Sequence, residues 1–164
     1  MKDVEGLTGI TNLPPVTQIG VVVRDVAQAV AYYSDTLGLG PFEPIYDFSP
    51  DKSWYKGKAS PLHLRISRTM WGAMEFELLQ PLQGESIHRD FLESHGEGLQ
   101  HLGCDVTNYD EVVQMMHKAG FKQEMALETY VPRRDCFSKA SYFDTGRIGG
   151  VLIEVMWRPW LAKS

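Results

Sequence analysis

Two glutamates lie inside apolar segments of the sequence, where a carboxylate is expensive to bury. Glu77 stands in the segment FELL and Glu154 in the segment LIEVM. A carboxylate without a partner in such a segment loses its hydration and gains nothing in return. A Lys or Arg side chain would offset that cost, and so would a bound divalent cation. Each glutamate is therefore either half of a buried ion pair or a candidate metal ligand.

Gln18 and His101 are informative because the chain repeats itself. The segment VTQIGVVV around Gln18 and the segment GLQHLGCDV around His101 share one plan. Aligning Gln18 with His101 also aligns Gly20 with Gly103. Taken alone, Gln18 would be a strand-edge amide and His101 a core histidine with satisfied hydrogen bonds. Equivalent places in a repeat make them a pair of potential ligands instead.

Each of these strand-like segments is followed by a helical pattern with the same start and stop signals. The shared signals are an N-cap, a capping-box partner three residues later and a terminal glycine. They are Asp25, Gln28 and Gly38 in the first half, and Asn108, Glu111 and Gly120 in the second. A helix is therefore predicted after the first strand of each half.

Strand-like segments then close each half. They cover residues 42–46, 62–69 and 73–80 in the first half, and 121–127, 137–143 and 150–157 in the second. Trp71 and Gly72 are predicted to turn the last hairpin of the first half. Residues 47–61, rich in Pro, Gly, Ser and Lys, are predicted to form a long loop. A short helix at 86–94, with Phe91 and Leu92 facing inward, connects the halves.

A duplicated βαβββ unit brings equivalent strands to opposite sides of one cavity. The first strands carry Gln18 and His101, and the last strands carry Glu77 and Glu154. A divalent cation would offset the charge of the two buried carboxylates. The sequence therefore predicts one metal site with four ligands: Gln18, Glu77, His101 and Glu154. Three oxygens and one imidazole suit Zn, Ni, Co, Mn or Mg.

The predicted fold class is α+β, with tandem βαβββ modules forming a curved mixed sheet around a metal site. The first module takes residues 16–82 and the second takes residues 98–158, joined by a connecting helix at 83–97. Residues 1–15 form an N-terminal extension, and residues 159–164 form a C-terminal tail.

The paired pattern resembles the vicinal oxygen chelate superfamily over residues 16–158. The stretches LGLGPFEP, FELLQP, GEGLQHLG and GGVLIEV are most similar to methylmalonyl-CoA epimerase and its relatives. The resemblance implies metal ligands at the same four positions. Those epimerases usually carry His at the first position and often Gln at the second, so the set here is closer to that of some glyoxalase I enzymes. The third strand also lacks the carboxylate base that the epimerases have there.

The resemblance implies a metal-dependent isomerase or epimerase that forms an enolate from an acyl-CoA or another 2-substituted carbonyl acid. Glu154 is the first candidate for the catalytic base and Glu77 the second, with water or His63 as alternatives. A glyoxalase I-like lactoylglutathione lyase is an alternative that the ligand set favours. A non-catalytic small-molecule binding protein is a further alternative, against which the complete ligand set weighs.

Three other residues are candidates for substrate binding. His63 and Arg65 alternate along one predicted strand, and Trp71 stands at a predicted hairpin; solvated surface positions are the alternative for the first two. Trp54 and Tyr55 would form a lid or pack against the sheet edge. The remaining histidines have no partner at ligand spacing and are predicted to lie at the surface: His88, His95 and His117.

Composition excludes several partners. The formal net charge of −5, with acids spread along the chain, argues against nucleic acid and anionic membrane surfaces, which need concentrated Lys and Arg. The chain has no apolar run of ~20 residues and no signal-peptide pattern, so a cytoplasmic location is expected. Cys104 and Cys136 are then reduced thiols. The modules expose sheet edges and helical faces that proteins of the resembling superfamily cover by dimerising, so a homodimer is expected.

Overall fold

The computed structural model describes residues 13–161. Most of the predicted N-terminal extension and part of the predicted C-terminal tail therefore lie outside the described residues. The strands, in chain order, are β1 (Gln18–Val22), β2 (Tyr46–Phe48), β3 (Lys52–Tyr55), β4 (Lys58–Ala59), β5 (His63–Trp71), β6 (Met74–Gln83), β7 (Gly98–Asp105), β8 (Gln123–Val131), β9 (Cys136–Phe143) and β10 (Leu152–Trp157). The helices are α1 (Val26–Ala31), continued by a π-helical turn (Tyr32–Thr36), α2 (Ile87–Ser94) and α3 (Tyr109–Lys118).

These strands form a single curled mixed sheet with the order β2-β5-β6-β1-β7-β10-β9-β8-β3-β4. In the first module β1 runs parallel to β6, and in the second β7 runs parallel to β10. The two modules meet at the antiparallel pair β1 and β7. The order on one side of this pair mirrors the order on the other, apart from β3 and β4. The predicted α+β fold with a curved mixed sheet is confirmed.

The helix starts follow the predicted caps, with one difference. The Asp25 carboxylate accepts a hydrogen bond from the Gln28 backbone N–H at 3.0 Å, and the Gln28 side chain donates back to Asp25 at 3.3 Å. In the second module the Asn108 side chain makes no bond to the helix backbone and donates to the Glu111 carboxylate at 2.8 Å instead. Both modules nevertheless place the helix directly after the first strand.

The prediction of a long loop at 47–61 is wrong, because part of this segment forms the hairpin β3–β4. Lys56 and Gly57 both have positive φ, at 47° and 79°, as a two-residue type I′ hairpin turn requires. The hairpin leaves its own module and pairs with β8, with Trp54 opposite Ala126. Tyr55 is buried there. Its hydroxyl donates a hydrogen bond to Asp90 at the inner helix α2.

The strand predicted at 42–46 forms later, at Tyr46–Phe48. Pro41 and Pro44 have no backbone N–H to donate, so the chain before Tyr46 cannot enter a continuous ladder. It still runs beside β5, where the Glu43 backbone N–H donates to the Arg68 carbonyl at 2.7 Å. The β2 strand that results has three residues and forms one edge of the sheet.

Alternation along β1 separates the two faces of the sheet. Val21 and Val23 pack with Val26 of α1 on the outer face. Val22 points the other way, into the apolar cluster beneath α2 that also contains Leu64, Ile66 and Leu79. Gln18 and Gly20 share the face of Val22. The inner face of the curled sheet is therefore where the predicted ligands lie.

Two further properties concern residues 13–161. No helix there is long and apolar enough to cross a membrane. Both thiols are free, Cys104 buried and Cys136 partly exposed.

Candidate metal centre

The four side chains predicted as ligands converge at the centre of the sheet. Gln18, Glu77, His101 and Glu154 are all buried, with at most 4% of their surface exposed. His101 Nε2 lies 3.3 Å from Glu154 Oε2 and 3.7 Å from Glu77 Oε2. Their strands, β6, β1, β7 and β10, are consecutive in the sheet. The duplication therefore does bring these residues together, as the sequence predicts.

Glycines alternate with these side chains across the central strands. Gly20 pairs with Glu77 on one side and His101 on the other, and Gly103 pairs with Gln18 and Glu154. A Cβ atom on Gly20 would lie 2.0 Å from His101 Nε2, and one on Gly103 would lie 2.9 Å from Gln18 Oε1. Both glycines are therefore required by the close approach of a neighbouring side chain.

Three of the four side chains present a buried acceptor atom with no hydrogen-bond partner. These atoms are Gln18 Oε1, His101 Nε2 and Glu154 Oε2. The Gln18 amide is held by its nitrogen, which donates to Glu75 Oε1 at 2.7 Å, so the oxygen is the atom left free. Buried acceptors without a donor are costly. A cation among them would satisfy all three.

Glu77 differs because it already has a cationic partner. Arg68, directly opposite on β5, donates to Glu77 Oε1 from Nε at 2.8 Å and lies 2.6 Å from it through Nη2. The ion pair that the sequence left open for one glutamate is therefore present at Glu77. Among residues 13–161, no three or more His, Cys, Asp or Glu side chains are assembled as a metal site. The four-ligand set stays a prediction.

The electrostatics of the centre attract positive charge. Burial raises the pKa of Glu77, but Arg68 and His101 outweigh it and lower that pKa to about 2. Burial raises the pKa of Glu154, and Glu77 raises it further, against the attraction of His101. Burial lowers the pKa of His101, yet the two carboxylates outweigh burial and raise it. Each carboxylate therefore draws a cation, proton or metal, toward His101 Nε2.

A cavity of about 330 Å³ opens from this centre along the inner face of the sheet. Gln18, Glu77 and Glu154 line its polar end, together with Arg68. Its remaining wall is mostly apolar, with contributions from Phe48, Leu64, Ile66, Leu79, Leu127 and Met156. The volume and the contrast between the two ends suit a small organic ligand with a polar head.

The residues predicted to bind substrate do not line this cavity. On β5 the cavity-facing residues are Leu64, Ile66 and Arg68. His63 and Arg65 have the opposite orientation and pair with Asp47, at 3.5 Å and 2.8 Å. The prediction that His63 and Arg65 face the cavity is therefore wrong, because they lie on the opposite face of β5. Arg68 is the cationic residue of β5 at the cavity.

Trp71 is also absent from the cavity wall. It is exposed at the end of β5 and packs edge-on against Phe76, with ring centroids 5.6 Å apart. Phe76 belongs to the apolar cluster under α1. The position of Trp71 is therefore on the outer side of the sheet, and the structure does not bring it to the site.

His88 is the main functional candidate that sequence reasoning missed. The prediction that it lies at the surface is wrong, because it is fully buried and lines the cavity. His95 and His117 are exposed, as predicted. The missed signal was helical spacing: His88 precedes Phe91 and Leu92 by three and four residues, so it shares their inward face.

The sequence matches the family model described as "Glyoxalase/Bleomycin resistance protein/Dioxygenase superfamily" over residues 17–136. This match covers most of the chain, and the chain belongs to that superfamily. This is the same superfamily that the sequence motifs resemble. No curated protein sequence matches the chain.

Solved structures show the same fold at low identity. A hypothetical protein from Bacillus halodurans C-125 matches with a TM-score of 0.64 and 22% identity, over 88% of this chain and 94% of its own. Methylmalonyl-CoA epimerase from Mycobacterium tuberculosis gives 0.57 and 22%, over 93% of each chain. The Streptomyces coelicolor epimerase in complex with 2-nitronate-propionyl-CoA gives 0.58 and 20%, over 90% and 99%.

Proposed function

We propose that this chain is a metal-dependent isomerase or epimerase that removes a proton next to the carbonyl of an acyl-CoA or another 2-substituted carbonyl acid. One observation carries the proposal. Three buried acceptor atoms without donors, on Gln18, His101 and Glu154, lie on three consecutive strands, and Gln18 and Glu154 line the polar end of a mostly apolar cavity. Buried acceptors in this arrangement are what a divalent cation needs.

Gln18, Glu77, His101 and Glu154 would hold the metal, in agreement with the likeness of the motifs to metal-dependent relatives. When bound, a Zn, Ni, Co, Mn or Mg ion would supply Lewis-acid polarisation of the substrate carbonyl. Glu77 would have to share its charge between that ion and Arg68, which lies 2.6 Å away. Gln18 would contribute the oxygen that its bond to Glu75 leaves free.

Glu154 is the better candidate for the catalytic base. Its Oε2 has no hydrogen-bond partner, whereas Arg68 holds Glu77 Oε1 at 2.8 Å. Because no donor within residues 13–161 holds its Oε2, Glu154 could detach from the metal and take a proton from a substrate carbon. Delivery of a proton to the opposite face by a second acid would give epimerisation, and return of the proton by the same base to the neighbouring carbon would give isomerisation. Glu77 is the second candidate for this role.

The apolar wall fits the non-reacting part of the substrate. Leu64, Ile66 and Leu127 would cover an aliphatic or thioester portion and exclude water from the reacting carbon. Acyl-CoA substrates are the first choice because structural neighbours include methylmalonyl-CoA epimerases. A glyoxalase I-like lyase is the second candidate, favoured by the set of Gln, Glu, His and Glu side chains.

The test is metal analysis of the purified protein followed by a proton–deuterium exchange screen in heavy water. The screen covers acyl-CoA esters, 2-substituted carbonyl acids and hemithioacetals. Metal at about one ion per chain with exchange at the carbon next to the carbonyl supports the proposal, and the substrate that exchanges decides between the two candidates. Ligand binding without exchange on any of them would identify a binding protein instead.

A further inference from the structure

The side-chain amide of Gln100 lies between two buried histidines, His88 in the cavity wall and His101 at the candidate metal centre. Gln100 Nε2 donates a hydrogen bond to the Ile87 carbonyl at 2.8 Å, which fixes the orientation of the amide. The amide oxygen then faces both imidazoles: it lies 2.7 Å from His88 Nδ1 and 3.2 Å from His101 Nδ1. All three side chains are buried.

This arrangement determines the tautomer of both rings. A carbonyl oxygen accepts hydrogen bonds and cannot donate them, so each Nδ1 must carry the proton. A neutral imidazole protonated on Nδ1 keeps its lone pair on Nε2. His101 therefore presents to the centre the nitrogen that a metal would use. His88 presents a second acceptor of the same kind.

A β-bulge allows Gln100 to reach His101. Across β1 and β7, Gly20 pairs with His101 and Val21 pairs with Leu99, so Gln100 is the extra residue. Consecutive residues of a regular strand point to opposite faces, and a bulge removes that alternation locally. Gln100 and His101 are accordingly both buried. The amide can thus support the ring next to it in the sequence.

The lone pair of His88 is unused within residues 13–161. Its Nε2 is buried and has no hydrogen-bond partner, although Nδ1 is bound by Gln100. The ring is held edge-on against Tyr142, with centroids 5.3 Å apart, and lies 6.0 Å from the His101 ring. It also forms part of the cavity wall. A rigidly held acceptor in a cavity wall needs a donor from whatever fills the cavity.

We infer that His88 is a ligand-binding residue whose Nε2 accepts a hydrogen bond from an O–H or N–H group of the bound ligand. Gln100 is the positioning residue that holds His88 and His101 in the required tautomer. The inference deepens the proposed function and rests on it in one respect: the ligand is taken to chelate a metal held by His101. It narrows the substrate class to carbonyl compounds with a hydrogen-bond donor near the chelating oxygens.

The tautomer is measured without any metal. Two-bond proton–nitrogen correlation spectra of the full chain with ¹⁵N-labelled histidine distinguish a protonated ring nitrogen from a bare one. We expect His88 to be protonated on Nδ1 and bare on Nε2, and Gln100→Leu to abolish that preference. Protonation of His88 on Nε2 in the unsubstituted protein would overturn the inference.

The binding role is measured with two probes, acetohydroxamic acid and N-methylacetohydroxamic acid, titrated into the cobalt-loaded protein. The probes share the same chelating oxygens and differ in one N–H donor. In His88→Phe we expect the N–H probe to lose about 2- to 10-fold in affinity relative to the N-methyl probe. This is the effect of one hydrogen bond. His95→Phe, an exposed histidine just after the same helix, is the matched control and should keep the original ratio.

The two proposals fail separately. An unchanged ratio in His88→Phe overturns the binding role of His88 even where cobalt and both probes bind. Absence of cobalt binding by the unsubstituted protein overturns the metal site, and the tautomer spectra then still decide the arrangement of Gln100 and His88. Gln100→Leu should also weaken cobalt binding by roughly 10- to 100-fold, as loss of a partner behind a ligating histidine does.

Discussion

The imidazole of His101 occupies the space that a side chain on Gly20 would need. A Cβ atom on Gly20 would lie 1.9 Å from His101 Cε1 and 2.0 Å from Nε2. The two residues are direct partners across β1 and β7. The ring therefore lies across the neighbouring backbone at van der Waals distance, and its position is set by the absence of a side chain on Gly20.

Gly20→Ala should consequently displace His101 and remove most divalent metal binding, while the fold is retained at reduced stability. Gly103→Ala should reduce metal binding less, because its Cβ would meet the flexible end of Met156 at 2.6 Å and the Gln18 amide oxygen at 2.9 Å rather than His101. Gly146→Ala is the matched control, since its nearest neighbour lies at an ordinary 3.5 Å. Metal content and thermal unfolding of the three variants check this. Full metal content in Gly20→Ala would contradict it.

Metal should stabilise the folded protein through His101. With free metal ~100-fold above its dissociation constant, ligand linkage gives about 2.7 kcal/mol. For a chain of this size that corresponds to a rise in Tm of about 5–10 °C. His101→Ala should abolish the rise, whereas His117→Ala, at an exposed position, should keep it. Differential scanning fluorimetry with and without a chelator measures the difference. An equal rise in both variants would remove His101 from the site.

Glu154→Gln should separate metal binding from proton transfer. An amide oxygen can still coordinate, so metal content should fall only in part, while loss of the base should slow exchange by ~10²–10⁴-fold. Glu77→Gln is the comparison. An equal loss would mean that both carboxylates carry protons, one on each face of the substrate. A mild effect would leave Glu154 as the single base. If exchange survives in both variants, neither carboxylate is the base.

Arg68 should compete with the metal for Glu77. Arg68→Met removes the two donors that hold Glu77 Oε1, so the affinity for a divalent ion should rise by roughly tenfold, the worth of one charge-assisted hydrogen bond. Arg65→Met is the control, because Arg65 pairs with Asp47 away from the cavity. Isothermal titration with zinc compares the two. Weaker binding in Arg68→Met would show that Arg68 supports the site rather than competing with it.

The homodimer predicted from the sequence would cover surface that is exposed in the single chain. The sheet ends in two short strands, β2 and β4, and Ile148 is 92% exposed. Light scattering at micromolar concentration should give about twice the mass of one chain. A single-chain mass under these conditions would contradict the prediction.

The sequence predicts most of the centre because its signals are local or repeated. The alignment of Gln18 with His101 also placed the two glycines, and the apolar context of Glu77 and Glu154 marked both as unusual. Arg68 was missed because the face on which a side chain of β5 lies depends on the pairing register of that strand. A shift of one residue would bring Arg65 to the cavity face and move Arg68 to the other face. Gln100 was missed because the bulge that turns it inward is a property of two paired strands.

The hairpin β3–β4 was unpredictable for a related reason. The turn at Lys56 and Gly57 is a local signal, but the many Pro, Gly, Ser and Lys residues around it favoured a loop. The partner strand β8 begins only at Gln123, far along the chain. No periodicity within the segment specifies that partner. The inward position of His88, by contrast, was available from its spacing to Phe91 and was passed over.

That hairpin also ties the two halves of the duplication into one unfolding unit. The first module bonds to the second at the centre, through β1 and β7, and again far from the centre, through β3 and β8. Unfolding either module would break the backbone hydrogen bonds of the other module at both pairs, β1 with β7 and β3 with β8. Both edges of the sheet, β2 and β4, come from the first module, so the second module has no edge of its own. We therefore expect the chain to unfold with the cooperativity of a single small domain rather than of two repeats in series.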